Sequence, residues 1–457
     1  MKKDIKILYV SAEVAPFSKA GGLADVAGSL PSVLKKTGLD VRVITARYQT
    51  TNLPKGKWIY NGHARLGDDF FAFGVYEAKT YEDTPIYFIG NEFFFENRDK
   101  VYSYDDDIAR FYFFSLAILD FIKNSEWKPD IIHLNDWHGG IISYLLKKDK
   151  IIKKLKIKSL FTIHNLSFQG AGVLLGKKIN LARLAIKWAD LISTVSPNYA
   201  REILTAVGGS GLHRQLLKRK KNLYGILNGI DYYVFDPLKD PQIPFRFDES
   251  SLDDKLKNKI ALQQSFDLPE NPAIPILGIA SRITNQKGLG LLISIIDWLL
   301  ALELQIVIVG GGDPNLVKKL KVIIAKYPKK VAGHLEFNVE IASLIYAGSD
   351  MFLMPSLFEP CGLGQLIAMR YGSVPIVRRT GGLADTIKDY DTKKKTGNGF
   401  VFESFNSVDF FGAIVRALTL YRDEVSWREL LQKIMQERFS WDESAEKYIK
   451  LYNKLIK

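Results

Sequence analysis

The segment Lys19-Ala20-Gly21-Gly22-Leu23-Ala24-Asp25 follows an apolar run and has the residue types of an anion-binding turn. Gly21 and Gly22 would let backbone N–H groups approach an anion at a helix start, and Lys19 would neutralise its charge. The alternative is a tight strand-to-helix turn with a solvated lysine. Neither the P-loop pattern GxxxxGK nor the dinucleotide pattern GxGxxG matches here, which disfavours a kinase or a dehydrogenase.

A second segment, SRITNQKG at 281–288, places Arg282 and Lys287 on a loop that opens a predicted helix. Arginine offers a planar fork of donors and lysine a point charge, so the two cations suit a diphosphate. Two ordinary surface cations are the alternative that these residues leave open.

A third segment, EPCGLGQ at 359–365, sets a carboxylate just before a glycine-containing turn. Glu359 suits sugar hydroxyls or positive charge at an anomeric carbon. Cys361 has no base beside it in the sequence, so a buried small side chain is a better interpretation than a nucleophile. Because Cys361 is the single cysteine, an intrachain disulfide and a thiolate zinc cage are excluded.

Two of the six histidines follow predicted strands: His138 in HLNDWHGG and His164 in FTIHNLSFQG. At the carboxyl ends of parallel strands, catalytic and structural roles are equally open for them. The acidic triplet Asp105–Asp107 could ligate a metal. Its place before the helix-like stretch IARFYFFSLAILDFI favours a cluster at a helix start instead.

The elements that must position these residues are short Ile- and Val-rich runs separated by helix-like stretches. Such continuous apolar runs predict parallel sheets covered on both faces, here in two doubly wound α/β domains with ligands at the carboxyl ends of the strands. The proline-rich segment 236–252 marks the crossing between the domains. GGLAD occurs at 21–25 and again at 381–385, so one glycine loop from each domain could close on an anionic ligand. The predicted strands are 5–10, 130–134, 159–164, 191–196, 223–230, 275–281, 305–312, 350–356 and 374–379.

The composition is that of a globular protein, with 47% hydrophobic, 25% charged and 12% aromatic residues. No run is apolar enough for a membrane span, and the N-terminus MKKDIKILYVSAE predicts a first strand rather than a signal peptide. These features predict a cytoplasmic protein. The net charge of +13 comes from lysine runs without interleaved aromatic residues, which favours an anionic small substrate over nucleic acid.

Taken together, these segments resemble the bacterial and plant glycogen (starch) synthases, retaining glycosyltransferases of family 5 and of the GT-B type. The resemblance runs nearly end to end, and its longest segment is Tyr346 to Thr386. It implies two Rossmann-like domains with the active site in the cleft between them. Residues 1–238, joined by a C-terminal helix at 440–457, would form the acceptor-side domain, and residues 239–439 the donor domain. The matching segments are KAGGLADVAGSLP, HLNDWHGG, FTIHNLSFQG, TVSPNYAREI, GILNGID, SRITNQKG, YAGSDMFLMPSLFEPCGLGQLIAMRYGSVPIVRRTGGLADT and FSWDESAEKYIKLY.

The activity that the resemblance implies is transfer of glucose from ADP-glucose to the nonreducing 4-OH of an α-1,4-glucan such as glycogen. The anomeric configuration is retained, and no cofactor, metal, nucleic acid or membrane is required. Strict preference for ADP over UDP stays open. The residues implied are Glu359, Lys287, Arg282 and His164 for catalysis; Lys19, Gly21, Gly22, Asp25, Asn228, Phe337, Gly362 and Leu363 for the donor; and Asp136 and His138 on the acceptor side.

Two features keep alternatives open. The segment between Gln169 and Asn180 is much shorter than is usual in the family. This difference leaves the acceptor preference open, and it leaves open that the chain is a catalytically silent paralogue that binds glucan. Another nucleotide-sugar enzyme, such as an epimerase, is the remaining class.

Retention through a carboxylate nucleophile would need a second acid, but Ile367 stands eight residues after Glu359. Same-face attack within an ion pair is therefore our hypothesis.

Overall fold

The computed structural model describes residues 5–457, which divide into two α/β units. Unit 1 comprises the described chain up to Asn228 together with Trp441–Lys457, and unit 2 comprises Gly229–Ser440. Residues 1–4 of the N-terminal segment MKKDIKILYVSAE lie outside the described residues. Between residues 5 and 457, no helix is both long and apolar enough to cross a membrane.

The core of unit 1 is a nine-stranded sheet in the order β11-β10-β7-β6-β1-β2-β5-β4-β3. The strands from β11 to β5 are parallel, whereas β4 and β3 add as an antiparallel hairpin. Because β1 lies between β2 and β6, the sheet has its topological switch point there. The strands are β1 Lys6–Val10, β2 Asp40–Ala46, β3 Gly56–Leu66, β4 Asp69–Lys79, β5 Pro85–Gly90, β6 Ile131–Asn135, β7 Lys158–Ile163, the separate hairpin β8 Ala171–Leu174 and β9 Lys177–Asn180, β10 Leu191–Thr194 and β11 Leu223–Gly225.

Helices connect the parallel strands of unit 1. The acidic triplet lies at the start of the helix Asp107–Asn124, where Asp106 accepts from Arg98 at 2.7 Å and Asp107 accepts from Arg110 at 2.5 Å. Asp106 and Asp107 are thus paired with arginines. The helices are α1 Gly22–Lys36, α2 Asp107–Asn124, α3 Gly140–Lys148, α4 Leu181–Trp188, α5 Pro197–Glu202 and α6 His213–Lys218, with a π turn at Glu92–Glu96 and short 3₁₀ turns at Trp137–Gly139, Ile152–Leu155 and Lys220–Asn222.

Unit 2 is built on a six-stranded parallel sheet in the order β14-β13-β12-β15-β16-β17. The switch point of a doubly wound sheet therefore lies between β12 and β15. The strands are β12 Ile276–Ala280, β13 Gln305–Val309, β14 Val331–His334, β15 Met351–Met354, β16 Val374–Arg378 and β17 Phe400–Phe402. The helices are α7 Leu252–Ser265, α8 Leu289–Ser294, α9 Ile296–Leu300, α10 Pro314–Lys326, α11 Val339–Gly348, α12 Gly364–Arg370, α13 Gly381–Thr386, α14 Ser407–Tyr421 and α15 Glu424–Gln436.

The chain leaves unit 1 after Asn228, earlier than the predicted boundary between 238 and 239. Packing explains the difference, because Ile230 is part of the hydrophobic core of unit 2. Asp236 pairs with Arg370 at 2.6 Å, and Tyr371 donates its hydroxyl to Asp240 at 2.6 Å. The first residues of the proline-containing segment are therefore anchored in unit 2.

The last helix, α16 (Trp441–Ile456), belongs to unit 1. Its buried residues include Ala445, Tyr448, Tyr452 and Leu455, which recur at helical spacing. Asp442 lies within the first turn, because the helix begins at Trp441.

The buried imidazole of His133 ties α16 to the sheet. Its Nδ1 lies 2.8 Å from the Tyr452 hydroxyl and its Nε2 lies 2.6 Å from Thr162 Oγ1. Burial lowers the pKa of His133 well below its ordinary value, so the ring is neutral. Each ring nitrogen therefore depends on one hydroxyl partner.

Tyr452→Phe should lower the free energy of unfolding by about 1–2 kcal/mol, because it leaves one buried ring nitrogen unpaired. Urea denaturation followed by circular dichroism measures this loss. Tyr224→Phe is the control, since it removes a bond to Lys454 of the same helix at an exposed position. Equal losses in the two variants would contradict the assigned importance of the buried bond.

Candidate active site

Two loops of unit 2 lie side by side at the switch point of its sheet. Residues 281–288 follow β12, and residues 355–363 follow β15. Gly288 has a φ of +77°, and a Cβ at that position would lie 2.0 Å from the carbonyl oxygen of Pro355. Leu357 N–H also donates to the Gln286 carbonyl at 2.8 Å. Glycine is therefore required for the two backbones to approach this closely.

The predicted cation and carboxylate of these loops form one ion pair. Lys287 Nζ donates to Glu359 Oε2 at 2.6 Å, although the residues are 72 positions apart in the chain. Ser356 Oγ donates to the same oxygen at 3.0 Å. Both side chains are largely buried, with 18% of Lys287 and 7% of Glu359 exposed. The loops thus hold a preorganised charge pair whose lysine still reaches solvent.

Arg282 is exposed on the same loop as Lys287. Within residues 5–457, its guanidinium has no ion pair or side-chain hydrogen bond. The loop itself is held through its backbone, because Ile283 N–H donates to the Gly311 carbonyl at 2.8 Å. The guanidinium is thus available to a ligand, while the chain that carries it is fixed.

The second GGLAD copy packs against the loop of residues 355–363. Gly381 has a φ of +45°, and a Cβ there would lie 1.8 Å from the Glu359 carbonyl oxygen. Gly382 N–H donates to that oxygen at 3.1 Å. The amide is used within the protein, so the expectation that this copy presents it to an anion is not met.

The remaining residues proposed for unit 2 lie near the ends of its strands. Gly362 has a φ of +73°, and Leu363 is the residue before α12. Cys361 is buried beside them, as the sequence indicated. Phe337 lies between β14 and α11 with 75% of its side chain exposed, which leaves its ring available for stacking.

The first glycine turn of unit 1 binds a carboxylate that no sequence motif indicated. Ala20 and Gly21 N–H donate to Glu13 Oε2 at 2.5 and 2.9 Å. Lys19 Nζ contacts Asp25 Oδ1 at 2.6 Å. The Gly21 amide is therefore already bonded within the protein. The only signal in the sequence was an acid three residues beyond a predicted strand.

The loops after β6 and β7 bring the predicted histidines and aspartate together. Asp136 has a φ of +52°, and its Oδ1 accepts from the backbone N–H of His164 at 2.7 Å. His164 Nε2 lies 2.9 Å from Asn135 Oδ1, and the His138 ring stacks on Tyr102 at 4.9 Å. Asn228 is buried, and its Oδ1 has no hydrogen-bond partner among residues 5–457.

Near neutral pH the two imidazoles are neutral and the Asp136 carboxyl is only partly ionised. Burial lowers the pKa of both His138 and His164 to about 3, so both imidazoles are neutral. Burial raises the pKa of Asp136 to about 7 against the bonds from the His164 and Asn165 amides, and the Glu13 carboxylate raises it further. Neutral donors and acceptors of this kind suit a polyhydroxyl ligand.

Comparisons with known proteins bear on both units. Residues 6–218 match the starch synthase catalytic domain, and residues 262–433 match the glycosyl transferases group 1 family. The chain is 41% identical to a glycogen synthase of Alkaliphilus metalliredigens, covering 99% of this chain and 100% of that protein. A glycogen synthase of Clostridium perfringens is 43% identical, with 100% of this chain and 99% of that protein covered. The chain belongs to the glycogen and starch synthase family.

The catalytic domain of starch synthase IV from Arabidopsis thaliana, solved with ADP and acarbose, has the same fold. Its TM-score is 0.93 at 32% identity, covering 99% of this chain and 100% of that chain. A sucrose-phosphate synthase from Thermosynechococcus elongatus matches at a TM-score of 0.66 and 17% identity, covering 99% of both chains, which shows the fold alone. The two-domain GT-B architecture expected from the sequence is confirmed, and the chain is a glycosyltransferase of this family.

The short segment 169–180 of this glycogen and starch synthase family member forms the β8–β9 hairpin. Asn180 Nδ2 donates to Gln169 Oε1 at 2.7 Å and closes the base of the hairpin. Val173 and Leu175 are 63% and 61% exposed on it. The shortened segment is thus an ordered hairpin with an apolar, exposed tip.

Asp136→Asn tests the electrostatics of unit 1. The folded-state pKa of about 7 lies above the ordinary 3.8, so the Asp136 carboxyl lowers the stability of the wild type as pH rises between these values, and the neutral variant lacks this contribution. The variant should therefore gain about 2 kcal/mol relative to the wild type between pH 5 and pH 8.

Urea titrations at both pH values measure this gain. Asp69→Asn is a suitable control, because Asp69 is an exposed acid in the same unit. A difference between Asp136→Asn and the wild type that does not change with pH would contradict the raised pKa.

Proposed function

We propose that this glycosyltransferase transfers glucose from ADP-glucose to the nonreducing 4-OH of an α-1,4-glucan with retention of configuration. The observation that carries the proposal is the Lys287–Glu359 pair, 2.6 Å apart, with Arg282 exposed on the same loop. The names of the relatives and the ADP in the starch synthase IV structure support this donor and acceptor.

The charges suit cleavage of a glycosyl–phosphate bond. As this bond breaks, negative charge develops on the diphosphate and positive charge on the sugar ring. Arg282 and Lys287 would stabilise the departing diphosphate, and fixed cations of this kind act mainly on the transition state. Glu359 would bind the glucosyl hydroxyls and favour the positive ring, with the amides of Gly362 and Leu363 nearby. Phe337 would stack on the base of the nucleotide.

We assign the residues of unit 1 to the sugars and to the donor. His164 and Asn228 would hydrogen-bond the glucosyl unit, since a neutral imidazole and an unpaired amide oxygen suit hydroxyl groups. Asp136 and His138 would contact the acceptor. The donor-side residues of unit 1 would be Lys19, Gly21, Gly22 and Asp25.

Retention follows if the acceptor attacks on the face that the leaving group departs from. The bond from C1 to the phosphate oxygen breaks, the bond from C1 to the acceptor O4 forms, and the phosphate oxygen takes the acceptor proton. Ile367 supplies no carboxylate for a double displacement. Recovery of a covalent glucosyl-enzyme from a rapidly quenched reaction would overturn this route.

The first test is release of nucleoside diphosphate from ADP-glucose and from UDP-glucose, each with and without glycogen. We expect glycogen-dependent ADP release that falls by roughly two to four orders of magnitude in Lys287→Ala, by analogy with a lost oxyanion donor. Lys395→Ala is the matched control, because it removes an exposed ion pair with Glu429 from the same unit. Glycogen binding without release from either donor would favour the silent paralogue.

Arg282→Ala separates catalysis from folding. Because the guanidinium has no side-chain partner among residues 5–457, the melting temperature should stay within about 1 °C of the wild type. The turnover number should fall at least about a hundredfold, since the stabilisation of the leaving diphosphate is lost. Calorimetry and the same release assay measure both quantities. Unchanged turnover would remove Arg282 from the proposed site.

A further inference from the structure

Glu13 is a buried acid at the switch point of unit 1 that the proposed reaction does not use. It is 3% exposed and lies three residues beyond β1. Its Oε2 accepts from two successive amides, Ala20 N–H at 2.5 Å and Gly21 N–H at 2.9 Å. A single carboxylate oxygen thus binds the backbone of the turn that also carries Lys19.

The chain around Glu13 forms a closed loop. Val14 N–H donates to the Ser18 carbonyl at 3.1 Å, and Ser18 N–H donates back to the Val14 carbonyl at 2.9 Å. Ala15 N–H donates to the Ala24 carbonyl in the first turn of α1 at 3.0 Å. None of these bonds involves the amides of Ala20 and Gly21. The Glu13 carboxylate holds these two residues instead.

The two bonds decide which amides remain for a ligand. The first N–H groups of a helix have no partner within the helix. Since α1 begins at Gly22, Glu13 uses the two amides just before the helix and leaves those of Gly22 and Leu23. The Lys19 ammonium contacts Asp25 of α1 at 2.6 Å, and the Lys19 side chain is 43% exposed.

We propose that Glu13 is a positioning residue for the donor, holding the 19–22 turn so that Lys19 and the first amides of α1 meet the donor diphosphate. The inference rests on the proposed function. Glu13 acts through the turn and does not itself contact the substrate.

The surroundings of Glu13 make this restraint sensitive to pH. Burial raises its pKa to about 7, the Ala20 and Gly21 amides oppose that rise, and the Asp25 carboxylate adds to it. Asp136, Tyr48 and Tyr102 also interact electrostatically with the Glu13 carboxylate. An ionised carboxylate accepts stronger hydrogen bonds than a protonated one. The turn is therefore held more firmly as pH rises through about 7.

Glu13→Ala and Glu13→Gln separate positioning from mere folding. Glu13→Ala should raise the KM for ADP-glucose about tenfold, equivalent to one charge-assisted hydrogen bond, and leave the KM for glycogen unchanged. Glu13→Gln keeps an oxygen for both amides but no charge. Its donor KM should stay within about threefold of the wild type and lack the decrease with rising pH that we expect of the wild type. Glu96→Ala, which removes a carboxylate paired with Arg47, is the control.

A readout without turnover keeps the two proposals distinguishable. Hydrogen exchange at Ala20 and Gly21 should accelerate in Glu13→Ala and stay near the wild-type rate in Glu13→Gln. If the wild type releases no ADP, the proposed function fails, and calorimetric ADP affinity replaces KM with the same expected tenfold loss. Donor and glycogen KM rising together, unchanged donor KM or ADP affinity, or the same pH dependence in Glu13→Gln would each overturn the role of Glu13.

Discussion

The structure depends on one constraint, which is that the loops after neighbouring parallel strands leave the sheet at the same edge. Where the order of the strands reverses, two such loops diverge and leave room for a ligand. Unit 2 places the loops after β12 and β15 there, and unit 1 places the loops after β1 and β6. Much of the predicted chemistry of each unit lies on these pairs of loops, whereas His164, Asn228 and Phe337 follow other strands.

The two switch points differ in the signs of the charges that they bury. In unit 2, Lys287 and Glu359 form an ion pair, so each largely buried charge has an opposite charge beside it. In unit 1, Glu13 and Asp136 have the same sign, and both have pKa values raised to about 7. Unit 2 thus presents fixed charge that suits a diphosphate. Unit 1 presents neutral imidazoles and partly protonated acids that suit sugar hydroxyls.

The sequence predicted the elements whose signal is local. Continuous apolar runs marked the four inner strands of the unit 2 sheet and strands β1, β6, β7 and β10 of unit 1, but not β2, β4 or β5. The type and spacing of Arg282 and Lys287 marked a cation-bearing loop. The contact between Lys287 and Glu359 could not be predicted from the residues, because it depends on β12 and β15 being neighbours. The predicted boundary between the two units lies too far along the chain, because prolines mark an irregular segment but do not show which core that segment packs against. The role of Glu13 could not be predicted from a motif, since its partners are backbone amides, which leave no residue-type signal in the sequence.

The repeated GGLAD sequence shows why a glycine motif alone could not settle its chemistry. In the first copy, the Gly21 amide bonds the Glu13 carboxylate. In the second, Gly382 bonds the main-chain carbonyl of Glu359, and Gly381 allows an approach that any Cβ would block. Both copies therefore serve packing, because each forms a strand-to-helix turn that lies against another part of the chain. Recognition of an anion is then left to the side chains that these turns position and to amides that the protein has not already used, such as those of Gly22 and Leu23.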